Sequence, residues 1–455
     1  MADEEGAPRA PTGTRDVLWP ESWRWQVAVT RFAEQVERAG YGLVQSPLFE
    51  YASVFRRGIG EGSEVVGKEM YEFADRDGRI LALRPEGTAS VVRAYVQHRP
   101  ALPWKAWYVT PAFRHERPQA GRYRQHHQVG VEALGPADPD LDVEVVWLAD
   151  TFFRSLGLER FRLKLGSMGD GACRPAYVEA LRAYLAPRRQ HLCDEHRDRL
   201  DANPLRILDC KRPECRAATE GAPHLVDRLC EPCAAHFARV RAGLDVLDVP
   251  HQVDHRLVRG FDYYTRTTFE FASAAIDAAQ NGIGGGGRYD GLAEMLGGPP
   301  TPGIGFGIGI ERVLLACDGE GVLPADPPPP AAFVVDVAGG DGARDLTAEL
   351  RAAGLRADRA FDGRSMKAQM KLADRSGAAV ALLVGEREVT EGTVTFRPLR
   401  RAGEQRSVPR ADVTAQVVAE VAAAAEVTPV AEVAEVVAEV AEAAAVPGSR
   451  RRQGP

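Results

Sequence analysis

The sequence predicts an α+β fold, and three observations carry that reading. Short apolar stretches between Glu69 and Glu132 are broken by turns, which suits an antiparallel sheet better than βαβ units. A helical, Arg-rich and Cys-bearing segment then interrupts a return to strand patterning at LVRGFDYYTRTTFEF. Finally, the run PADPPPP at 324–330 sets off a last stretch in which strands and helices alternate at short range. The expected architecture is an antiparallel β-sheet flanked by helices, a helical insertion over 167–250, and a small C-terminal α/β domain over 331–424. A length of 455 residues, at roughly 150 per domain, allows two or three domains. With 45% hydrophobic and 27% charged residues the chain cannot be wholly disordered, collagen-like or a disulfide-stapled miniprotein.

Taken in order, residues 1 to about 20 read as a loose lead-in closed by PTGTRDVLWP. Ser22 can cap a helix whose Trp25, Val29, Phe32 and Val36 share one face, with Gly40 ending it. GYGLVQSPLFE reads as a strand stopped by Pro47, which cannot donate to a ladder. The DRDGR turn between MYEFA and ILALR signals a hairpin, and AWYVTPAFRHE and HHQVGVEALG supply further strands. A helix follows with Asp142 or a neighbour near its start and Val146, Ala149, Phe153 and Leu156 on one face. The Gly-dense NGIGGGGRYDGL reads as a tight turn rather than a phosphate cradle, because no βαβ unit surrounds it. The end, from 425 to 455, is a low-complexity Ala/Val/Glu tail.

A net charge of −7 means that any nucleic-acid contact must rest on local basic patches. No apolar run approaches the ~18 residues of a membrane helix. The start, MADEEGAPRA, lacks an apolar signal core, so a cytoplasmic protein with reduced thiols is expected. Neither GxxxxGK[ST] nor HExxH occurs. What stands out is charge inside strand-like segments: Arg84 and Glu86 in ALRPEGT, Arg114 and Glu116 in AFRHE, and Arg122 and Arg124 around Tyr123. Gln128 and Glu132 in HQVGVE, Arg259 and Asp262 in VRGFDYY, and Glu311 and Arg312 after GFGIGI continue the pattern. Gln128 and Glu132, four apart, share one face of a strand. An isolated pair could be structural, but a row of buried charges costs several kcal/mol per ion and needs a reason. Arginine forks without a Walker lysine suit a triphosphate, and the carboxylates and Gln128 suit an ammonium or imidazole group.

These segments resemble the class II aminoacyl-tRNA synthetases, and within them the histidyl-tRNA synthetases closely. WRWQVAVTRFAEQVERAGYGLVQSP resembles the first class motif, FRHERPQAGRYRQHHQVGVE the second and GFGIGIER the third. LRPEGT at 83–88 and LVRGFDYYTRT at 257–267 resemble histidine-specific signatures. The likeness runs from Gly13 to about Ala423, with His126 standing where an aromatic is expected and Phe261 where leucine is.

The resemblance implies that the catalytic domain comprises 1–166 and 251–323, and that 331–424 binds the anticodon. It implies ATP-dependent formation of histidyl-adenylate, followed by transfer to tRNA(His), with Mg²⁺ arriving on ATP. Arg114, Arg259 and Arg312 would be catalytic, holding the α-phosphate, the carboxylate and α-phosphate together, and the γ-phosphate. Glu86, Thr88 and Gln128 would hold the α-amino group, while Glu132, Tyr263 and Tyr264 form the imidazole pocket. Glu116, Arg122 and Tyr123 would join Arg114 and Arg312 around ATP. A homodimer built on the first motif is expected, with no membrane role. Lys367, Lys371 and Arg375, four apart, would offer tRNA one basic helix face, although a solvated face has the same pattern. A regulatory subunit of histidine biosynthesis or a synthetase for threonine or proline fits less well, because the second-motif loop, RGFDYY and the C-terminal domain are all present.

The cysteines need a separate account. Cys210, Cys215, Cys230 and Cys233 form C-x4-C-x14-C-x2-C, a spacing that suits one tetrahedral structural Zn²⁺ and equally suits reduced, buried thiols. Cys173, Cys193 and Cys317 are expected to be core or incidental residues.

Overall fold

The computed structural model describes residues 8–425, apart from 61, 62, 64, 259, 277–280, 325 and 340. Arg259 and the tail beyond 425 thus lie outside the described residues. The chain divides into two units, Met1–Asp326 and Pro327–Pro455.

In the first unit the expected amphipathic helix forms over Glu21–Arg38 and buries Phe32 and Val36. Pro20, not Ser22, holds its N-cap position. Proline opens a helix at little cost, since it has no N–H to leave unsatisfied. The lead-in is also less loose than its composition suggests. The Gly13 carbonyl accepts from the Arg124 N–H at 2.7 Å, and the Arg15 guanidinium lies 5.1 Å from the Tyr123 ring centre.

The segment broken by Pro47 becomes two short strands in different sheets, β1 (Gly42–Leu43) and β2 (Phe49–Tyr51). The DRDGR hairpin joins β3 (Glu72–Ala74) to β4 (Ile80–Leu83), and Asp75 Oδ1 accepts from the Asp77 and Arg79 N–H groups. The strands β5 (Trp104–Phe113), β6 (Gln125–Leu134), β7 (Phe161–Ser167) and β8 (His251–Val253) follow. They are succeeded by β9 (Thr265–Ser273), β10 (Gly282–Arg288) and β11 (Gly303–Gly309). The main sheet runs β1-β5-β6-β11-β10-β9-β7-β8; its six central strands pair antiparallel, and β1 and β8 join the edges in parallel.

The Gly-dense segment is therefore a central strand, β10, and not a tight turn. Its neighbours explain the composition: a Cβ on Gly286 would stand 2.0 Å from the Gly305 carbonyl oxygen. Packing between strands, a long-range condition, selects glycine here.

Strand periodicity sorts the side chains of the main sheet. Val129, Val131, Phe269, Phe271 and Phe306 point into one core with Phe32 and Phe152, whose rings meet edge-on at 5.2 Å. Gln128 and Glu132 take the opposite face. There the helices Ala52–Ile59 and Thr88–His98 pack a second cluster that includes Tyr263, Tyr264 and Tyr289.

The helix Pro139–Ser155 is capped by Asp138, whose side chain accepts from the Asp140 N–H. Asp142 does not cap it. It is fully buried and accepts from Arg288 Nε at 3.0 Å, with His236 Nε2 at 3.1 Å, tying the insertion helix Glu231–Val246 to β10.

The second unit orders its strands β13-β12-β14-β15-β16, where β12 is Ala332–Asp336, β13 Ala357–Arg359, β14 Val380–Val384, β15 Thr393–Pro398 and β16 Arg406–Pro409. β13, β12 and β14 are parallel, and the inner strands β12 and β14 carry apolar residues on both faces, as a sheet covered by helices must. Lys367, Lys371 and Arg375 all fall on the exposed face of the helix Met366–Arg375. Among the described residues no helix is long and apolar enough to cross a membrane.

Candidate active site

A cleft of about 480 Å³ opens on the Gln128 face of the main sheet. Glycines form its floor, since Gly284, Gly285, Gly307 and Gly309 of β10 and β11 project no side chain there. Glu86, Thr88, Gln128, Tyr263 and Tyr264 all line it, as do Arg114, Glu116, Arg122, Tyr123 and Arg312. The strand registers thus gather most of the site residues singled out from the sequence. Among the described residues Arg84, Arg124, Asp262 and Glu132 are outside the lining, and Glu132 sinks beneath the cleft with no exposed surface.

Register explains that burial. Glu132 lies opposite Gly305 in the β6–β11 ladder, and a Cβ on Gly305 would stand 1.9 Å from Glu132 Oε2. The carboxyl accepts from Thr88 Oγ1 at 2.7 Å, from the Tyr108 hydroxyl at 3.3 Å and from the Tyr289 hydroxyl. Burial pushes Glu132 up to about 8, with the hydroxyl donors working the other way. Tyr108 and Tyr289 lie well above the ordinary tyrosine range, first through burial and then through the Glu132 charge, so both remain hydroxyl donors.

Neither tyrosine stands out in the sequence. The available signal was glycine: a Cβ on Gly87 would stand 2.5 Å from the Tyr108 ring, and one on Gly303 would stand 2.3 Å from Tyr289. Such close approaches are written in the sequence only as isolated glycines.

Glu86 precedes the helix Thr88–His98 and accepts from the Thr88 and Ala89 N–H groups at 2.5 and 2.9 Å. It neutralises the orphan donors of that helix start while facing the cleft. Burial nevertheless raises its pKa.

Among the arginines, Arg114 Nε donates to the Pro85 carbonyl at 2.9 Å, and its guanidinium lies 5.6 Å from the Phe261 ring centre. Glu116 stands 3.1 Å from Arg122 and 3.9 Å from Arg114, so one carboxylate spaces two guanidiniums. Arg312 Nε donates to the Gly282 carbonyl, and burial followed by the nearby Arg122 charge lowers its pKa. His126, between these groups, is pushed down to about 3 by burial and then by Arg114, and is neutral at pH 7. A cleft lined by several guanidiniums, Arg114, Arg122 and Arg312 among them, suits a polyanion.

Other charges in the strand segments turn out to brace the sheet. Arg84 is buried and donates to the carbonyls of Pro111, Ser46 and Pro47, locking β4 to the end of the first motif. Glu311 accepts from the His127 N–H at 2.9 Å and holds the start of β6.

The insertion also reaches the cleft through Cys210, Lys211 and Arg216. The four cysteines grouped from sequence do not come together. Cys210 and Cys215 join Cys193 and His196, whereas Cys230 and Cys233 join Asp170 and Cys173. The expected four-cysteine zinc site is therefore corrected, while Cys173 and Cys193 are buried, as expected of core residues, and each lies in one of the two groups. Cys230 holds the N-cap position of the long helix Glu231–Val246 without a side-chain capping bond and faces the loop after β7, while Cys215 packs against the start of the helix Asp194–Arg199.

Residues 13–313 match the family described as histidyl-tRNA synthetase, and residues 332–420 match an anticodon binding domain. The chain is 51% identical to the histidine–tRNA ligase of Rhodococcus erythropolis over 88% of this chain and 95% of that one. It is 48% identical to the histidine–tRNA ligase of Nocardia farcinica over 90% of this chain and 98% of the other. Among solved structures, apo histidyl-tRNA synthetase of S. aureus superposes with a TM-score of 0.75 at 34% identity, covering 90% of this chain and all of that one. The glycine-floored cleft, its guanidinium lining and the two matched domains place one conclusion beyond the fold: this chain belongs to the histidyl-tRNA synthetase family.

Proposed function

We infer that the chain activates L-histidine with ATP and transfers the histidyl group to tRNA(His) for protein synthesis. One observation carries the residue-level reading: carboxyl, amide and tyrosine groups line one cleft together with several guanidiniums. In the first step a histidine carboxylate oxygen attacks the α-phosphorus of ATP. The new P–O bond gives histidyl-adenylate, and the α–β bridge breaks to release pyrophosphate. In the second, a hydroxyl of the terminal tRNA ribose attacks the carbonyl carbon and AMP departs.

Glu86, Thr88 and Gln128 hold the α-amino group, with Glu86 set so that its helix-start bonds fix its orientation. Tyr264 and Tyr263 read the imidazole, and Glu132, buried beneath the cleft, acts through the Thr88 and Tyr108 hydroxyls that bond it and line the cleft. A pocket of buried hydrogen-bonding groups discriminates strongly, because a substrate lacking the matching atoms leaves them unpaired. Arg114 holds the α-phosphate, where negative charge grows in the transition state, and Arg312 holds the γ-phosphate. Glu116, Arg122 and Tyr123 complete the ATP contacts. Arg259, outside the described residues, bridges the carboxylate and the α-phosphate. Its neighbours Val258 and Gly260 line the cleft, which supports that assignment. Mg²⁺ enters with ATP and leaves with pyrophosphate.

The second unit binds the anticodon, with the Lys367, Lys371 and Arg375 face meeting the tRNA. The chain works as a homodimer in the cytoplasm, where its tRNA substrate is used. Support for the dimer comes from Leu43, Leu48, Phe49, Phe73 and Ile80, which are all exposed around β1–β4 next to the first motif.

The test is amino-acid-dependent ATP–pyrophosphate exchange, with all twenty amino acids offered in parallel. Exchange with histidine alone is expected. Silence with every amino acid, in folded protein that still binds histidine, would replace the catalytic reading with a regulatory one.

A further inference from the structure

We propose that the insertion holds two structural zinc ions, one bound by Cys193, His196, Cys210 and Cys215 and the other by Asp170, Cys173, Cys230 and Cys233. The proposal is independent of the catalytic reading. In each set the four candidate ligand atoms lie within 4.8 Å of one another. A tetrahedral zinc with bonds of about 2.1 to 2.3 Å sets its ligand atoms roughly 3.5 to 3.8 Å apart. The observed separations bracket that span. Cys193 Sγ is 3.0 Å from His196 Nδ1, which is 4.0 Å from Cys215 Sγ. Asp170 Oδ1 is 3.6 Å from Cys173 Sγ and 3.8 Å from Cys230 Sγ.

Three further observations separate these sets from a core of inert thiols. Each set consists of two sequence pairs with metal-site spacing: C-x2-H with C-x4-C, and D-x2-C with C-x2-C. Backbone N–H groups point at sulfur in both, from Cys193 to Cys215 Sγ at 3.3 Å and from Asp170 to Cys173 Sγ at 3.4 Å. Contacts of this kind orient ligand atoms around a metal. A histidine and a carboxylate also complete the two sets, although neither group favours a purely apolar thiol cluster.

The local architecture gives the ions work to do. The helices Asp194–Arg199, Leu205–Leu208 and Pro213–Ala218 have six, four and six residues, well below the ~12 that hold a helix in water by themselves. The inner site would staple these three pieces. The outer site would fasten the first residues of the insertion to the start of the helix Glu231–Val246. It also adjoins the wall of the cleft. The Arg266 N–H donates to the Gly169 carbonyl at 2.7 Å, and Arg174, next to Cys173, donates to the carbonyls of Met168 and Tyr264.

The experiment is elemental analysis of full-length protein purified without chelator. Two zinc ions per chain are expected, with one remaining in C210S/C215S and one in C230S/C233S. One zinc in the wild-type chain and none in either double variant would restore the single four-cysteine site and overturn the proposal, as would a wild-type chain without zinc. Because serine variants of a folded insertion can fail to fold, the wild-type chain supplies the second measurement. Mercurial titration of its thiols should release two zinc equivalents, and cobalt replacement should give thiolate-to-metal charge-transfer absorption. A disulfide within either set, or no released metal, would equally overturn it.

Discussion

Replacing Glu132 with Gln tests the electrostatics at the bottom of the cleft. The folded protein holds this carboxyl at about 8, whereas an unfolded glutamate titrates near 4.3. Between those values the folded state binds one more proton than the unfolded state. The group's contribution to stability is therefore fully present below about pH 4.3 and is lost as pH rises through about 8. The loss runs at about 1.4 kcal/mol per pH unit and levels off near the folded pKa, giving about 2 kcal/mol between pH 6 and pH 8. Glutamine cannot ionise, so E132Q lacks that slope. At pH 6 it should be less stable than the wild type by about 1 to 3 kcal/mol, since its amide N–H₂ faces hydroxyls that now donate to a carboxyl. By pH 8 most of that gap should close. Urea unfolding of both proteins at the two pH values measures it, using the transition that histidine shifts to report on the catalytic unit. Other titrating groups cancel in the difference. A gap that stays constant or widens toward pH 8 would refute the reasoning.

Three further outcomes are expected. R259H should retain its circular dichroism and oligomeric state but lose at least ~100-fold in histidine-dependent pyrophosphate exchange, as removal of a transition-state contact does; unchanged exchange removes Arg259 from the mechanism. D142N leaves Arg288 buried without its carboxylate and should cost about 3 to 5 kcal/mol at pH 7. Burial opposes ionisation of Asp142, but His236 and Arg288 hold its pKa below the ordinary value, so the stability it confers should disappear as pH falls below about 3.9 in urea titrations. K371E should raise the KM for tRNA and reduce the salt slope of tRNA binding by about 1 while leaving pyrophosphate exchange unaltered; a matching fall in exchange would show a folding defect instead.

Much of the candidate site was legible because strand periodicity is local. Gln128 and Glu132 share a face at a spacing of four, and ALRPEGT, AFRHE and HQVGVE each announce charge where a strand should be apolar. The α+β class followed from turn chemistry and the proline run, which act over a few residues. What local spacing does not encode is who stands across a ladder or at the far end of a helix. Arg84 and Glu311 look like ligand groups in sequence, yet they brace backbone, because the atoms that satisfy them come from distant segments. The glycines of β10 read as a turn until β9 and β11 close on both sides and leave no room for a Cβ.

The sequence by itself determined the fold class, the motifs and the chemical character of the cleft, since these rest on residue type and short-range period. Tertiary structure alone decided that Glu132 is buried among three hydroxyls and that the cysteines divide into two sets. Both outcomes depend on close approach between segments far apart in the chain, and the free energy of such contacts appears only when the intervening chain has folded.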